Sequence, residues 1–344
     1  MQTSSAVIAA LLFSATALFA QEPPPVSEVI NVERIILDVR VVDTFGKPIP
    51  NLKPGDFRVR VGNKLATVVA AEWIDETKPP ELPELPADAT DGETPAIPEM
   101  QSGRILVFFF QNDFGRANMR VVGHMKVLST IDSLIDRLQP DDRVAVFSYD
   151  SQLKFRLDLT SDKAKIRGEV SKTLAIDNPS WPAAADGPSL GKNLDRQRMR
   201  DAATPERALR VVSDALQSLP GRKSLLFFGW GLGHRGSGEV SMGWEFKPLI
   251  ESLTAARTSL FSIDLAQQGH QLAIALKAAA ETSGGMYVST AGFIPDVYDR
   301  IAGTLSGYYE LEVRTSEPRA EGDNDIRIDL PKDRNAKVMQ VSAF

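Results

Sequence analysis

A chain of 344 residues, 43% of them apolar and 24% charged, is long and hydrophobic enough for one large globular domain plus a smaller one. Its net charge of −6 excludes the basic electrostatics of a nucleic-acid-binding protein. Cysteine is absent, which excludes disulfides, thiolate metal sites and a lipid-modified cysteine anchor.

Residues 1–20 (MQTSSAVIAALLFSATALFA) hold a short apolar core that ends in small Ala20, the pattern of a secretory signal peptide, although the first residues carry no Lys or Arg. A retained membrane anchor is the alternative. The apolar run falls short of the roughly 20 residues a span needs, and Gln21-Glu22-Pro23-Pro24-Pro25 follows at once. The expectation is cleavage after Ala20 and a secreted or periplasmic protein that does not span the membrane.

Segment 28–74 reads as a small antiparallel β unit. Ile35, Leu37, Val39 and Val41 alternate with polar residues, Gly46 and Pro48 break the chain, and Phe57, Val59 and Val61 alternate again. Gly62-Asn63 then turns the chain into a further strand. Segment 75–102 is different. Residues 75–100 hold six prolines, eight acids and one lysine, too little apolar surface to order themselves, and read as an extended acidic linker.

Segment 103–306 alternates strands with helices, the pattern of a largely parallel sheet covered on both faces. Residues 105–110 (ILVFFF) are continuously apolar, as a central parallel strand is. Met125, Leu128, Ile131, Ile135 and Leu138 are spaced as one helical stripe ended by Pro140. Strands follow at 143–149, 224–228, 259–265 and 286–289. Helices are expected from Thr204-Pro205, with Leu209, Val212, Leu216 and Leu219 inward, and at 246–257, 272–282 and 295–305. Residues 177–203 form a long polar loop, locally basic through Lys192, Arg196, Arg198 and Arg200; a solvated face is the default reading and contact with an acidic partner the alternative. Segment 307–344 returns to strand alternation and is expected to pair with 28–74, because either half alone has too few strands to be stable. The expected fold is thus α/β: a doubly wound, mostly parallel sheet with an accessory antiparallel β-sandwich built from the N- and C-terminal segments.

Several stretches together suggest a family: VVDTFGKPIPNLKPGDFRV, DDRVAVFSYDSQLKFRLDLTSD, LPGRKSLLFFGWG, SLFSIDL and AAAETSGGMYVST followed by SGYYELEV. In order and spacing they resemble the von Willebrand factor A domain, and more narrowly the secreted bacterial "VWFA-related" proteins known mainly from acidobacteria. The resemblance implies ligand binding at the carboxyl edge of the sheet. In that family the first strand ends in Asp-x-Ser-x-Ser and a later strand in Asp-Gly, which together hold a divalent cation. Here the matching positions read Gln111-Asn112-Asp113-Phe114-Gly115 and Gly229-Trp230-Gly231. Hard cations demand several oxygen ligands, and only Asp113 and Thr204 remain as candidates; Thr204 is also a good helix N-cap.

The expectation is a non-enzymatic protein-binding or adhesion-type module with a degenerate cation site, without cofactor or metal. A protein or envelope component would bind near Gln111, Asn112, Asp113, Thr204 and Trp230. Two alternatives stay open. One keeps a remodelled cation at Asp113 and Thr204; the other is an enzyme using the strand-end acids Asp113, Asp150 and Asp264. The glycines around Trp230 lack the Gly-Lys-Ser/Thr ending of a phosphate loop, and His124, His234 and His270 have no metal-ligand spacing.

Overall fold

The computed structural model describes residues 33–62, 64–77, 103–113, 117–128, 131–173, 178–185, 187–235, 240–266, 270–290, 295–315, 326–333 and 335–340. The expected signal peptide and nearly all of the acidic linker lie outside the described residues. Among those described, no helix is long and apolar enough to cross a membrane.

The first strands are β1 (Glu33–Val42), β2 (Arg58–Val61) and β3 (Lys64–Asp75). The α/β region then runs through β4 (Ile105–Gln111), α1 (Ala117–Leu128), α2 (Ile131–Asp136), β5 (Arg143–Tyr149), β6 (Leu153–Thr160) and α3 (Lys163–Thr173). It continues with α4 (Arg196–Arg200), α5 (Pro205–Leu216), β7 (Lys223–Gly229), the short hairpin β8 (His234–Arg235) and β9 (Val240–Ser241), α6 (Phe246–Ala255) and β10 (Thr258–Asp264). It ends with α7 (Ala273–Thr282), β11 (Tyr287–Ser289) and α8 (Pro295–Thr304), before β12 (Gly307–Thr315), β13 (Ile326–Asp329) and β14 (Lys337–Gln340) close the chain.

The central sheet has the order β11-β10-β7-β4-β5-β6. Every pairing is parallel except that of β6 with β5. Counted from β4, this is the doubly wound order 3-2-1-4-5-6, with the direction of winding reversing between β4 and β7. Both faces are covered, which is why β4 is apolar at consecutive positions. Its Ile105, Val107 and Phe109 pack with Leu209 and Val212 of α5, Leu249 and Leu253 of α6, and Leu276 of α7. Its Leu106, Phe108 and Phe110 face Leu134 and Ile135 of α2, Ile166 of α3 and Ile301 of α8.

Two expectations need correction. The stripe from Met125 to Leu138 is only in part the buried face, whose inner residues are Val127 of α1, Ile131, Leu134 and Ile135 of α2, and Leu138. Met125 (65% exposed) and Leu128 point outward, and Val127 takes the inner position. The accessory unit is not a two-layer sandwich either. It is one six-stranded antiparallel sheet of order β13-β2-β3-β12-β1-β14, in which β12 inserts between β1 and β3. The N- and C-terminal segments therefore do pair, in one curled layer whose edge strands approach where Gln340 Nε2 donates to the Ile326 carbonyl. Tyr309, Leu311 and Val313 of β12 fill its core with Val39 and Val59.

The accessory sheet seats against the amino ends of the parallel strands. Asp38 of β1 pairs with Arg257, just before β10, at 2.7 Å, and with Arg222, just before β7, at 3.5 Å. Arg40 donates to Ser259 at 3.0 Å and reaches Glu76 at 3.4 Å. Arg222 also lies over the Tyr308 ring, 4.2 Å from its centroid. Burial and the charge of Arg40 push the Arg222 guanidinium down to about 10. With the amino edge covered in this way, the carboxyl edge is the one turned away from the accessory sheet.

Candidate functional site

In an open doubly wound sheet, ligands are taken outside the carboxyl ends of the strands at the point where the winding reverses. Here that point lies between the tips of β4 and β7, where Gln111-Asn112-Asp113 and Gly229-Trp230 sit. Of the expected residues, Gln111 and Trp230 meet there. Gln111 Oε1 accepts a hydrogen bond from the Trp230 backbone N–H at 3.0 Å and links the two tips. The link needs Gly229, because a methyl group on that residue would stand 2.6 Å from Gln111 Oε1 and collide with the Phe227 ring.

Asn112 faces inward. Its N–H donates to the Tyr149 carbonyl at 2.6 Å and its Nδ2 to the Thr173 carbonyl at 2.7 Å, so it ties β4 to β5 and to the end of α3. Gln111 and Asn112 are both 3% exposed. They form the floor of the edge, and a partner could touch only the half-buried Asp113, Thr204 and Trp230 directly.

Asp113 is the anomalous group. Burial pushes its carboxyl up to about 6; hydrogen bonds from Gln111 and Trp230 pull it part of the way back, and the negative charge of Glu206 adds to the rise. Its Oδ1 is buried and finds no hydrogen-bond partner among the described residues. The Tyr149 hydroxyl is likewise held above its ordinary range by burial and by the charges of Asp113, Glu206, Asp150 and Glu245. These are the fields of an acidic edge.

Two of those acids, Glu206 and Glu245, were not singled out in the sequence. Glu206 stands in the first turn of α5 and accepts from the Gly233 N–H, which fixes the chain after β7. Glu245, at the start of α6, accepts from the Thr204 hydroxyl and pairs with Arg207. The only signal was an acid in the first turn of a helix for Glu206 and one just before a helix for Glu245, which the helix dipole explains without any site. Thr204 caps α5 as expected, accepting from the Arg207 N–H at 3.3 Å, and it also donates its proton to Glu245.

These commitments test the fit of a divalent cation. Gln111 Oε1 is occupied by Trp230, Thr204 by Arg207 and Glu245, and one Glu206 oxygen by Gly233. Among the described residues no group of three or more His, Asp or Glu could hold a metal ion. Several of the oxygens that a hard cation would draw on are thus already engaged.

The strand-end acids also go separate ways. Asp150 is paired with Lys154 at 2.5 Å. Asp264 accepts from the Ala266 N–H at 2.9 Å and from the Tyr287 hydroxyl at 2.7 Å, with His270 Nε2 also at 2.7 Å. It ends β10, three strands from β5, a separation of roughly 14 Å by normal sheet spacing.

The polar loop before α5 is more ordered than its composition suggests. Asp158 of β6 accepts from the Leu190 N–H and from the Ser189 hydroxyl, and Trp181 packs edge-on against Phe155. Arg196 lies over the Trp181 ring, 4.2 Å from its centroid.

No family model matches the chain, and no curated protein matches its sequence. Solved structures do. A mutant of the PilB minor pilin from Streptococcus sanguinis is 13% identical, with 60% of this chain and 64% of that chain covered and a TM-score of 0.39. A von Willebrand factor type A protein from Catenulispora acidiphila is 9% identical, with coverage of 70% and 66% and a TM-score of 0.40. BatB from Bacteroides thetaiotaomicron is 14% identical, with coverage of 59% and 99% and a TM-score of 0.34. The chain thus spans less than two thirds of the pilin that it matches. The α/β architecture itself rests on the strand order and the reversal between β4 and β7.

Proposed function

We propose that this chain is an exported, non-enzymatic protein-binding module of the von Willebrand factor A kind, within the secreted bacterial group its sequence resembles. Its partner is a protein or envelope component, taken at the carboxyl edge around Asp113, Thr204 and Trp230. The observation that carries the reading is the Gln111–Trp230 hydrogen bond. It joins directly the two strand tips that the resemblance would have joined through an ion. The engaged Thr204 supports the same reading against a remodelled cation site. The pairing of Asp150 with Lys154 and the three donors around Asp264 support binding over catalysis by these acids.

Thermal melting with excess Mg²⁺, Mn²⁺ or Ca²⁺ against EDTA tests the cation part, since a ligand of the native state must raise its stability. The expected shift is less than about 1 °C; a rise of several degrees that Asp113→Asn abolishes would restore the metal-dependent reading. A pull-down from the cell envelope tests the binding part. The partner captured by the unmodified protein should be lost on Trp230→Ala, and equal capture by both would move the binding surface elsewhere.

A further inference from the structure

Beside the carboxyl edge lies a crevice of about 320 Å³ between α4, α5 and the start of α6. Its described lining sets Arg198, Arg207 and Arg210 against Asp201, Glu206 and Glu245, so the formal charges cancel. Most of these groups are held in place: Arg207 pairs with Glu245, Arg198 with Asp214, and Glu206 accepts from the Gly233 N–H. The wall is thus polar, fixed and neutral as a whole. Three groups on it face water. Trp244 is 73% exposed, with the Arg207 guanidinium over its ring at 5.0 Å from the centroid, which orients the indole while most of its surface stays open. Asp201 is exposed, and its oxygens accept only from Gln197 Nε2, at 2.9 and 3.0 Å, so lone pairs remain. The Arg210 side chain is exposed and makes no hydrogen bond or ion pair among the described residues.

We infer that this crevice binds an uncharged glycan chain of the envelope. The inference rests on the envelope-partner reading above and gives that partner its chemistry. A sugar hydroxyl both donates and accepts, so neighbouring hydroxyls satisfy an acceptor-only carboxylate and a donor-only guanidinium in one crevice, here Asp201 and Arg210. The planar fork of Arg210 presents parallel N–H groups to two adjacent hydroxyl oxygens. A pyranose ring also carries a flat face of C–H groups, which covers the apolar face of the Trp244 indole while its hydroxyls stay hydrogen-bonded. Charged ligands are disfavoured from both sides: an acidic chain meets Asp201 and a basic one meets Arg210. Side chains already fixed by ion pairs lose little freedom on binding. The volume suits a short run of sugar units rather than a folded surface.

The test is isothermal titration calorimetry of the full chain with cellohexaose, chitohexaose and mannohexaose, beside polygalacturonate and a peptide of Gln-Pro-Leu repeats. At least one neutral hexasaccharide should bind, with an affinity that stays within about twofold between low and high salt, since no net charge is neutralised. Binding should weaken at least about tenfold in Trp244→Ala and in the Asp201→Ala/Arg210→Ala double variant. Trp244→Phe should keep part of it, and the exposed position of Trp244 should leave the melting temperature of both Trp244 variants unchanged. No binding of any of the three sugars, unchanged binding by the variants, or tighter binding of polygalacturonate or of the peptide each overturns the inference. The envelope pull-down separates this failure from that of the wider reading. A partner captured equally by Trp244→Ala but lost on Trp230→Ala overturns the crevice and leaves the carboxyl edge standing. Sugar binding lost on Trp244→Ala, with capture untouched by Trp230→Ala, does the reverse.

Discussion

The side chain of Gln111 and the backbone of Trp230 meet at 3.0 Å across the reversal point of the sheet, two residues 119 apart in sequence. Gln111 is buried, so its amide oxygen has no water to turn to. Replacing Gln111 with Ala leaves the Trp230 N–H without its acceptor. The expected cost is about 1–2 kcal/mol, read as a lower urea midpoint with an unchanged slope. Gln111→Glu keeps the acceptor but adds a charge beside Asp113, and should therefore raise the Asp113 carboxyl further.

Asp113 gives the edge a pH dependence of defined sign. Its carboxyl is raised to about 6 in the folded chain, from an ordinary value of 3.8. Between these values the folded state holds a proton that the unfolded state has released, so stability falls as pH rises. The contribution is fully present below about 4 and lost above about 6, with an upper bound of about 3 kcal/mol. Asp113→Asn removes the burdened charge. It should flatten this part of the stability curve and raise the melting temperature at pH 7.5 while leaving it little changed at pH 4. A slope between pH 4 and 6.5 that survives the substitution would place its origin in another group.

What the sequence disclosed follows from the range of each physical signal. Buried parallel strands announce themselves by continuous apolar runs such as 105–110, and Thr204-Pro205 announces a helix start, because both signals are local. The stripe through Met125 and Leu128 misled because apolar residues at helical spacing can be drawn on more than one face, and the packed face here runs through Val127. Pairing of the terminal segments was legible as a need for more strands. Their arrangement, with β12 between β1 and β3, depends on long-range register that alternation does not encode. At the site, Gln111 and Trp230 were visible as departures from a motif. Glu206 and Glu245 were not, since an acid near a helix start looks the same with or without a neighbouring strand tip.

At the opposite edge of the sheet, Arg104 and Asp142 tie the entry of β4 to that of β5. Arg104 Nε and Nη2 reach the two Asp142 oxygens at 2.9 and 2.5 Å, and Nη1 donates to the Leu305 carbonyl at 2.8 Å. Asp142 also accepts from the Gln139 N–H at 2.7 Å. Burial works against the Arg104 charge, but the hydrogen bonds and charge of Asp142 outweigh it and hold the guanidinium above its ordinary value. Removing one partner of such a pair strands the other. Asp142→Ala should cost about 3–5 kcal/mol in chemical denaturation. Arg104→Lys should recover only part of the pair, because the fork geometry is lost. A cost below about 1 kcal/mol for Asp142→Ala would mean that the pair is solvated like a surface ion pair.

Tyr309 does the corresponding work in the accessory sheet, where a single hydroxyl holds the chain between β1 and β2. Its ring is buried, edge-on to Phe57 at 5.3 Å and to Trp73 at 5.0 Å. Its hydroxyl accepts from the Leu52 N–H at 2.9 Å and donates to the Ile49 carbonyl at 2.7 Å. Tyr309→Phe keeps every ring contact and removes both bonds, so the packing term cancels and the polar term is read alone. The expected loss is about 1–2 kcal/mol of global stability. It should come with faster hydrogen exchange at the Leu52 amide, since that donor loses its acceptor. Strand amides of β12, protected by pairing with β1 and β3, should change only by the global amount. Unchanged exchange at Leu52 would show that water or another acceptor replaces the hydroxyl, and the segment from Ile49 to Leu52 would then be held by the Tyr309 ring rather than by its oxygen.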